Sequence, residues 1–496
     1  MSGTLRIPAT TIDQLTTALL QDDGLERAAV LDLADSGDDL VVADCEIVPD
    51  AAMTTIGATE CQPDDDYDVD FVDRCTGNDR HPLIVHSHPF ADEAWFSSRD
   101  DSKMRGEAGW IHALKDCRVL FGVLSQDELR IDEVDSDGTR TPVEPEIIGD
   151  WTLEDDATVT PVPSSAAPPV DVDTERYDRA IRAIGEHGQQ QLAETHVAVV
   201  GCGGIGADLV KELAGQGVQQ VTFVDPDRVE QSNLPRLPQA SESDVGRYKV
   251  AVMQQWYGQQ VPGAETTIIS LPVEETAEYL LDLGVDVILA GLDRITPRVW
   301  LNEFAARHLI PYIDAGSIVD VDEDGRITTM QTEVQVIAPG TSTGCFECIG
   351  RDNTEALRRE NLPQPVLEEE VARGYIPDTA LTPEPAVNPL NSVAAAEAVD
   401  ALSRIVTGYR PPEPTVGYDA VEKRMDAGPT HERENCETCS RFVGTGESGP
   451  IDTIDDLDLE ATVDALADTR PGHSRDDGST YSIPDAVTAF FTEHLR

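Results

Sequence analysis

Apolar positions in the first part of the chain follow two spacings. Residues 11–21 carry apolar side chains one helical turn apart, which predicts an amphipathic helix. Up to about residue 145, short apolar runs then alternate with polar turns, a pattern typical of strands. The runs predicted as strands are residues 27–33, 39–48, 82–86 and 118–124.

The pattern changes after a segment rich in proline, serine and alanine, residues 157–169, which we interpret as a linker. From about residue 174 a helix, a strand, a glycine turn, a helix and a strand follow one another. This order predicts a doubly wound α/β domain.

A second α/β unit follows the first in the sequence. Strands are predicted at residues 285–289 and 312–314, with a helix at 299–308 between them. The polar, proline-bearing residues 351–390 predict a long crossing loop, and residues 391–407 an amphipathic helix. The acidic, poorly patterned tail from residue 446 favours partial disorder.

The charge of the chain is strongly negative, with 94 acidic residues against 36 lysines and arginines and a net charge of -58. The acid is spread over every segment, and no basic stripe is present, so we expect no nucleic-acid partner. The pattern favours a solvated surface adapted to a salt-rich cytoplasm, as in a halophilic archaeon; a specific basic partner is the alternative.

Neither a membrane nor a secretory route is expected. No apolar run is long enough to span a bilayer. The first residues lack the basic and apolar regions of a signal peptide. We therefore expect a cytoplasmic protein.

A glycine motif follows the predicted strand 197–200. Gly201, Gly203, Gly204 and Gly206 open a helix, and Asp225 ends the next strand. Glycines allow a close approach of the backbone to phosphate, and an acid about 20 residues later suits ribose hydroxyls. The motif by itself predicts a dinucleotide oxidoreductase.

The residues after Asp225 change that expectation. Residues 225–236, DPDRVEQSNLPR, resemble the DxDxVxxSNLxR signature of the ThiF, MoeB and ubiquitin-activating enzymes. Residues 176–179 resemble the family's RYxRQ motif, with Ala180 in place of glutamine, and residues 246–249 its GxxK motif. Residues 292–302 resemble its DNxxxR…N segment, with Arg294 in place of asparagine.

This resemblance implies adenylation of a carboxylate by ATP and Mg²⁺. In such a reaction cations neutralise two anionic reactants and hold them in line. The resemblance implies that Arg179 reaches the γ-phosphate of a neighbouring subunit, and hence a homodimer. The other nucleotide-site residues that it implies are Asp225 at the ribose hydroxyls, Asn233, Arg236 and Lys249 at the phosphates, Asp293 at the magnesium ion, and Asp227 as a further cofactor-binding residue.

Two CxxC pairs, Cys345/Cys348 and Cys436/Cys439, have the spacing of zinc ligands. Four thiolates close a tetrahedral structural zinc site; a disulfide pair is the alternative. ThiF and MoeB relatives carry the same knuckle. No cysteine lies between Cys348 and Cys436, where thioester-forming relatives carry a reactive one, so the resemblance is closer to MoeB. Cys202, in the glycine turn, is expected to be a packing residue.

The N-terminal part carries a second metal motif. His86, His88 and Pro89 at a strand end, followed by residues 95–100, resemble the HxHP…SxxD motif of the JAMM (JAB/MPN) peptidases. Two imidazoles and the carboxylate of Asp100 would hold a catalytic zinc with one position open for water. Asp101 is the alternative third ligand.

A JAMM peptidase also needs a general base upstream of the histidines. Glu26 resembles the base of the family's ExxGxL motif, with Ala29 in place of glycine, and Glu46 is the alternative. Ser97 would stabilise the oxyanion. The resemblance implies cleavage of peptide or isopeptide bonds after the C-terminal glycine of a ubiquitin-like protein.

Together the motifs predict a mixed-sheet JAB/MPN domain joined to a Rossmann-like ThiF domain with a four-cysteine knuckle. Both halves would act on a ubiquitin-like or sulfur-carrier protein ending in Gly-Gly. The alternatives are adenylation of a small peptide or amino acid, and a regulatory module that only binds a carrier. The expected segments are a peptidase domain (1–145), a linker (146–172), an adenylyltransferase domain (173–445) and an acidic tail (446–496).

Overall fold

The computed structural model describes most of the 496-residue chain. The described residues are 4–149, 160–161, 170–322, 324–341, 343–373, 385, 387–447 and 451. We call residues 4–149 the N-terminal half and residues 170–447 the C-terminal half.

Strands dominate the N-terminal half. Its elements, with one short strand that follows it, are β1 (Thr4–Pro8), α1 (Ala9–Leu19), β2 (Ala28–Ser36), β3 (Asp39–Ile47), β4 (Met53–Ile56), β5 (Cys61–Pro63), α2 (Asp65–Gly77), β6 (His81–Ser87), α3 (Ser98–Leu114), β7 (Leu120–Leu124), β8 (Glu128–Val134), β9 (Arg140–Ile148) and β10 (Thr160–Pro161).

These strands form a mixed eight-stranded sheet in the order β10-β8-β7-β6-β2-β3-β1-β9. One face packs its apolar side chains against α1 and the other against α2 and α3. The central strand β6 pairs with β2 in antiparallel register, so that His86 lies opposite Ala28. The carboxyl end of β6 therefore meets the amino end of β2.

The C-terminal half alternates helices and strands before it turns antiparallel. Its elements are α4 (Asp178–Glu194), β11 (His196–Val200), α5 (Gly204–Gln216), β12 (Gln220–Val224), α6 (Lys249–Gln260), β13 (Glu265–Ile269), α7 (Ala277–Asp282), β14 (Val287–Ala290), α8 (Ile295–His308), β15 (Tyr312–Val321), β16 (Ile327–Ile337), α9 (Thr354–Glu360), α10 (Gln364–Ala372), α11 (Asn388–Thr407), β17 (Thr415–Asp419), β18 (Arg424–Gly428) and α12 (Glu437–Arg441).

Five parallel strands lie in the order β13-β12-β11-β14-β15, the 3-2-1-4-5 order of a Rossmann-like sheet, and β16, β17 and β18 extend it in antiparallel fashion. Alternate residues of β11 point into different cores: Val197 and Val199 pack on one side, and Ala198 and Val200 on the other. The carboxyl ends of β11, β12 and β14 lie along one edge, where such folds bind ligands.

The structure confirms the predicted helix near residues 11–21 and the strands of both halves, with ends shifted by a few residues. The prediction of a crossing loop at residues 351–390 differs from the structure, because the described part of this segment contains the helices α9 and α10. The side chain of Asn353 starts α9 by accepting the N–H groups of Glu355 and Ala356, 3.1 Å away in each case.

Two predictions fall mostly outside the described residues. They are the linker at 157–169, of which only the short strand β10 is described, and the acidic tail from residue 446. Among the helices that the structure does describe, none combines the length and the apolar character needed to cross a bilayer.

Candidate functional site

The two histidines of the HxHP motif lie where β6 ends. Their ring centroids are 5.0 Å apart, and both rings face the carboxylate of Asp100. His86 Nε2 lies 3.5 Å from Asp100 Oδ1, and His88 Nε2 lies 3.8 Å from Asp100 Oδ2. One ligand atom from each of the three residues lies within 4.8 Å of the other two. The structure therefore brings the predicted trio together.

A helix cap selects Asp100 over Asp101. Ser97 starts α3, and its hydroxyl accepts the Asp100 N–H at 3.3 Å while Asp100 Oδ2 accepts the Ser97 N–H at 2.6 Å. Asp101, the alternative ligand, instead pairs with Arg140. The capping box thus fixes Asp100 beside the histidines.

The donor set of this trio fits a zinc ion. His86 Nε2, the nitrogen that faces Asp100, is buried without a hydrogen-bond partner in the described structure. Burial would raise the pKa of Asp100, but the attraction of His86, 3.5 Å away, and the hydrogen bonds from Ser97 outweigh it and lower the pKa, so the carboxylate stays charged. Zinc prefers two imidazoles and a carboxylate of this kind.

Glu26, the predicted base, lies just before β2 and is only 7% exposed. Its backbone N–H donates to Gly57 O at 2.8 Å. Burial and then the charge of Asp100 raise the pKa of Glu26 to about 7. Glu46, the alternative, is engaged elsewhere, with Tyr67 at 2.6 Å and Arg74 at 2.7 Å.

The glycine turn follows β11 at the ligand-binding edge of the C-terminal sheet. Gly201 has a φ of 84°, which favours glycine. A Cβ at Gly206 would lie 1.8 Å from the Gly201 carbonyl oxygen, so the turn admits no side chain there. Gly203 and Gly204 lie between them, at the start of α5.

Acidic and basic side chains surround this turn. Asp225 directly follows β12, accepts the Cys202 N–H at 2.7 Å and lies 3.8 Å from the ammonium group of Lys249. Lys249 also donates to Asp227 at 2.8 Å. Burial raises the pKa of Asp225; the same burial would lower that of Lys249, but Asp225 and Asp227 outweigh it and raise it. The predicted ribose and phosphate residues are thus adjacent.

Two further predicted residues lie on a short 3₁₀ turn, Gln231–Arg236. Asn233 is buried, and its side-chain oxygen accepts the Glu230 N–H at 3.1 Å. The Cδ of Arg236 lies 3.2 Å from where a Cβ of Gly204 would be, so Arg236 lies against the glycine turn.

Asp293 lies exposed in the turn after β14, on the same edge of the sheet. An exposed carboxylate at this place is a suitable hard oxygen ligand for Mg²⁺. Arg179 is exposed in the first turn of α4. Within the described residues, no hydrogen bond or ion pair joins it to the other predicted nucleotide residues.

Three residues around the nucleotide site were not singled out as functional residues by the sequence reasoning. Glu360 accepts the N–H groups of Ile295 and Thr296, at 2.7 and 2.9 Å, and so caps α8 from α9. Arg298 is half-buried and donates to Asp314 at 3.2 Å. Asn391 of α11 approaches Gly204. The family-like motif already contained Arg298, whereas no local signal marks the other two.

The four cysteines of the CxxC pairs meet at one point. All four are free thiols, and three Sγ–Sγ distances are 3.4, 3.6 and 3.7 Å. Tetrahedral zinc with four thiolates separates its sulfurs by about 3.8 Å. Glu347 tightens the site by accepting the N–H groups of Glu437 and Thr438 at 3.0 Å each. The arrangement fits a closed structural site.

The strand order and the glycine turn define the C-terminal half as a Rossmann-like domain. A family model described as "ThiF family" matches residues 177–438, more than half of the chain. The chain belongs to the ThiF family.

Several characterised proteins are similar to this chain. The SAMP-activating enzyme E1 of Haloferax volcanii is 26% identical over 287 residues, which cover 57% of this chain and 93% of that protein. The sulfur carrier protein ThiS adenylyltransferase of Escherichia coli is 30% identical over 241 residues, which cover 48% of this chain and 84% of that protein. The molybdopterin-synthase adenylyltransferase of Salmonella typhimurium is 27% identical over 268 residues, which cover 54% of this chain and 96% of that protein.

Proposed function

We propose that this chain adenylates the C-terminal glycine carboxylate of a ubiquitin-like or sulfur-carrier protein, at the expense of ATP. The observation that carries the proposal is the grouping of Asp225, Lys249 and Arg236 around the glycine turn in a chain of the ThiF family. Two of the similar proteins are named as adenylyltransferases and the third as an activating enzyme, which supports the same chemistry.

The reaction requires positioned cations. A carboxylate oxygen of the carrier attacks the α-phosphorus of ATP, and the bond to pyrophosphate breaks. Lys249 and Arg236 neutralise the phosphates, and Asp225 accepts bonds from the ribose hydroxyls. Magnesium bound at Asp293 would supply further shielding of the phosphate charge. The buried Lys249–Asp225 contact keeps the ammonium group charged and in place for this role.

The expected product is the acyl-adenylate. No cysteine lies between Cys348 and Cys436, so this stretch offers no thiol to take over the acyl group. Cys202 is fully buried, and burial raises the pKa of its thiol far above the usual range, which makes it a poor nucleophile. A MoeB-like activity, which stops at the adenylate until an acceptor arrives, is therefore favoured.

We further propose that residues 1–145 form a JAMM-type zinc peptidase that trims or releases the same carrier. A zinc ion bound by His86, His88 and Asp100 would polarise a water and the scissile carbonyl. Glu26, buried and with its pKa raised to about 7, is suited to take a proton and return it to the leaving amine. Residues 146–172 would then be the linker, and 173–445 the adenylyltransferase domain.

The test is ATP–pyrophosphate exchange with each small Gly-Gly protein of the host. Exchange should depend on one such protein and should vanish when its last two glycines are deleted. Asp293→Ala should abolish it. Exchange with free amino acids or short peptides, and with none of the Gly-Gly proteins, would contradict the proposed substrate.

A second readout tests the end product. The activated carrier should remain non-covalently bound or hydrolyse, and gels with and without reductant should look alike. A reductant-sensitive adduct between enzyme and carrier that survives Cys202→Ser would contradict the MoeB-like assignment and indicate a thioester-forming enzyme.

A further inference from the structure

The segment that follows the second CxxC pair runs between the two halves of the protein. We call residues 442–447 the wedge segment. On one side, Gly444 N–H donates to Ala306 O and Gly446 N–H to Arg307 O, both at 2.9 Å. These carbonyls belong to the end of α8, so the wedge segment is bonded to the C-terminal half.

Its other side touches the N-terminal sheet. A Cβ at Gly444 would lie 2.1 Å from the carbonyl oxygen of Val42 on β3, and one at Gly446 would lie 2.4 Å from that of Asp35 on β2. Both glycines have a positive φ, 68° and 63°. Only glycine fits two such close approaches between backbones.

A small apolar cluster closes the same junction. It contains Ala34, Val41 and Ile148 from the N-terminal half, Leu309 from the C-terminal half, and Val443 of the wedge segment packed against them. The cluster thus draws on both halves and on the wedge segment at once. Its burial stabilises the three parts only together.

Arg307 fastens the two ends of the wedge segment. Its guanidinium lies 5.1 Å from the centre of the Phe442 ring, and its Nη1 donates to Glu447 O at 3.2 Å. The segment begins three residues after Cys439, and α12 carries Cys439. The position of the wedge segment therefore depends on how firmly α12 is held.

Direct bonds between the halves are few and polar in the described structure. Arg6 of β1 donates to His308 O at 3.4 Å and to Val285 O at 3.5 Å. Ser36 bonds the His308 ring at 3.1 Å, and Thr10 donates to Gly340 O at 2.7 Å. Gly37 also lies against Leu281, and Gly340 against Pro8. The wedge segment is therefore one of several connections, and it is the one that joins backbone bonds and apolar packing to both halves at one place.

We propose that the four-cysteine site holds the N-terminal half against the C-terminal half, because it fixes α12 and so keeps the wedge segment in the junction. This inference rests on the proposed structural zinc. It gives the site a role beyond the stability of its own domain. Strand β2 joins the wedge segment at Ala34 and Asp35 and pairs with the metal-site residue His86 at Ala28. Loss of the four-cysteine site is therefore expected to affect β2, the strand beside the candidate peptidase site.

Hydrogen exchange on the full-length protein tests this. Cys439→Ser should speed amide exchange in residues 34–42 by about tenfold or more, since that region then opens without global unfolding. Gly444→Ala should do the same while its metal content stays that of the wild type. Wild type treated with a zinc chelator provides a third arm. Strand β12, which pairs with β11 and β13 inside the C-terminal sheet, should keep its wild-type protection in every sample.

Two variants serve as matched controls. Gly258→Ala adds a methyl group where no atom lies within 4 Å, so it should leave residues 34–42 protected. His88→Ala removes a ligand of the other metal site and should also leave them protected.

Each failure has its own meaning. If amide exchange of residues 34–42 is unchanged in Gly444→Ala, the wedge segment does not hold the junction. Faster exchange in Gly444→Ala but not in Cys439→Ser or the chelated protein overturns the role of the cysteine site. A wild-type protein without metal on its cysteines contradicts the proposed zinc site itself, whatever the exchange of Gly444→Ala shows.

Discussion

At the scale of single residues, neighbouring aspartates in α3 have opposite surroundings. Asp100 faces His86 and His88, whereas Asp101 pairs with Arg140. The sequence alone left both open as ligands, because the spacing in the motif did not decide between them. The capping box of Ser97 decides it, since it fixes the first turn of α3.

Asp100→Asn should therefore lower the zinc content from about two ions per chain to about one, because an amide is a poor zinc ligand. Asp101→Asn is the matched control and should retain both. Metal analysis of the purified proteins measures the result. Loss of zinc in the Asp101 variant with retention in the Asp100 variant would reverse the assignment.

A buried carboxyl in α3 predicts a pH-dependent stability. Burial raises the pKa of Glu107 to about 7, although Lys103 lies 3.6 Å away, and one of its oxygens is buried without a hydrogen bond. A raised pKa means that the folded state favours the protonated acid. Its contribution to stability is complete below the unfolded pKa and is lost as the pH rises through 7.

Glu107→Gln cannot ionise, so it should gain stability relative to wild type between pH 5 and pH 8, by roughly 1–3 kcal/mol. Urea unfolding at the two pH values measures this difference. Glu93→Gln, at an exposed position, is the control and should show no such trend. An equal effect of Glu107→Gln at both pH values would contradict the prediction.

At the scale of elements, the parallel strands and the glycine turn were predictable because their apolar runs and turn residues are local signals. The helices α2 and α3 were not predicted, since acidic residues interrupt their apolar positions; only Phe71, Val72 and Cys75 with Asp68 are buried in α2. The antiparallel strands β16 to β18 were also missed. The pairing of β16 with β17 joins residues 80 to 88 positions apart, as between Gln331 and Asp419, which no local pattern reveals.

The residues of the candidate sites also divide into those that a local pattern marks and those that only the tertiary fold brings into place. Motif residues such as His86 and Lys249 could be found from the sequence because their spacing is local. Glu360 could not, since it comes from α9 and acts on α8, and nothing in its surroundings marks it. Contacts of this kind depend on the tertiary fold.

Glu360 offers a test of how α9 supports the nucleotide site. Its carboxylate caps α8 two residues after Asp293, and capping by an acid stabilises a helix start by about 1 kcal/mol. Glu360→Ala should loosen the turn that carries Asp293 and raise the KM for MgATP in pyrophosphate exchange roughly fivefold. Glu355→Ala, on an exposed position of the same helix, should leave it unchanged. Equal effects of the two variants would remove the specific role of the cap.

At the scale of the whole molecule, the net charge of -58 is the feature that we expect to govern how stability depends on salt. Like charges repel in the folded protein, and salt screens them over about 10 Å at 0.1 M and about 3 Å at 1 M. We expect the unfolding temperature to rise steeply between dilute buffer and molar KCl. Sucrose at matched viscosity is the control. A melting curve that is the same at both salt concentrations would contradict adaptation to a salt-rich cytoplasm.

The two candidate sites lie away from the junction of the halves. The metal site is at the amino end of β2, whereas the junction is at its carboxyl end. The nucleotide site is at the start of α8, whereas the junction is at its end, about 20 Å along a helix of 14 residues. The described junction between the halves therefore lies away from the nucleotide site. We expect a cation for the terminal phosphate to come from another subunit, as the resemblance to the ThiF family implies.

Arg179 is the residue that we expect to supply it, because it is exposed on α4 and no described ion pair or hydrogen bond joins it to the site of its own chain. Arg179→Ala and Asp293→Ala should each be inactive as homodimers. In a mixed dimer, the subunit with an intact Asp293 receives Arg179 from its partner. Random reassociation of equal amounts should therefore restore about a quarter of wild-type pyrophosphate exchange, since half of the dimers are mixed and each has one complete site. If Arg179 acts within its own chain, every subunit carries a defect and mixing restores nothing. Sedimentation of the wild-type protein provides the control, because a monomer at assay concentration would exclude the shared site.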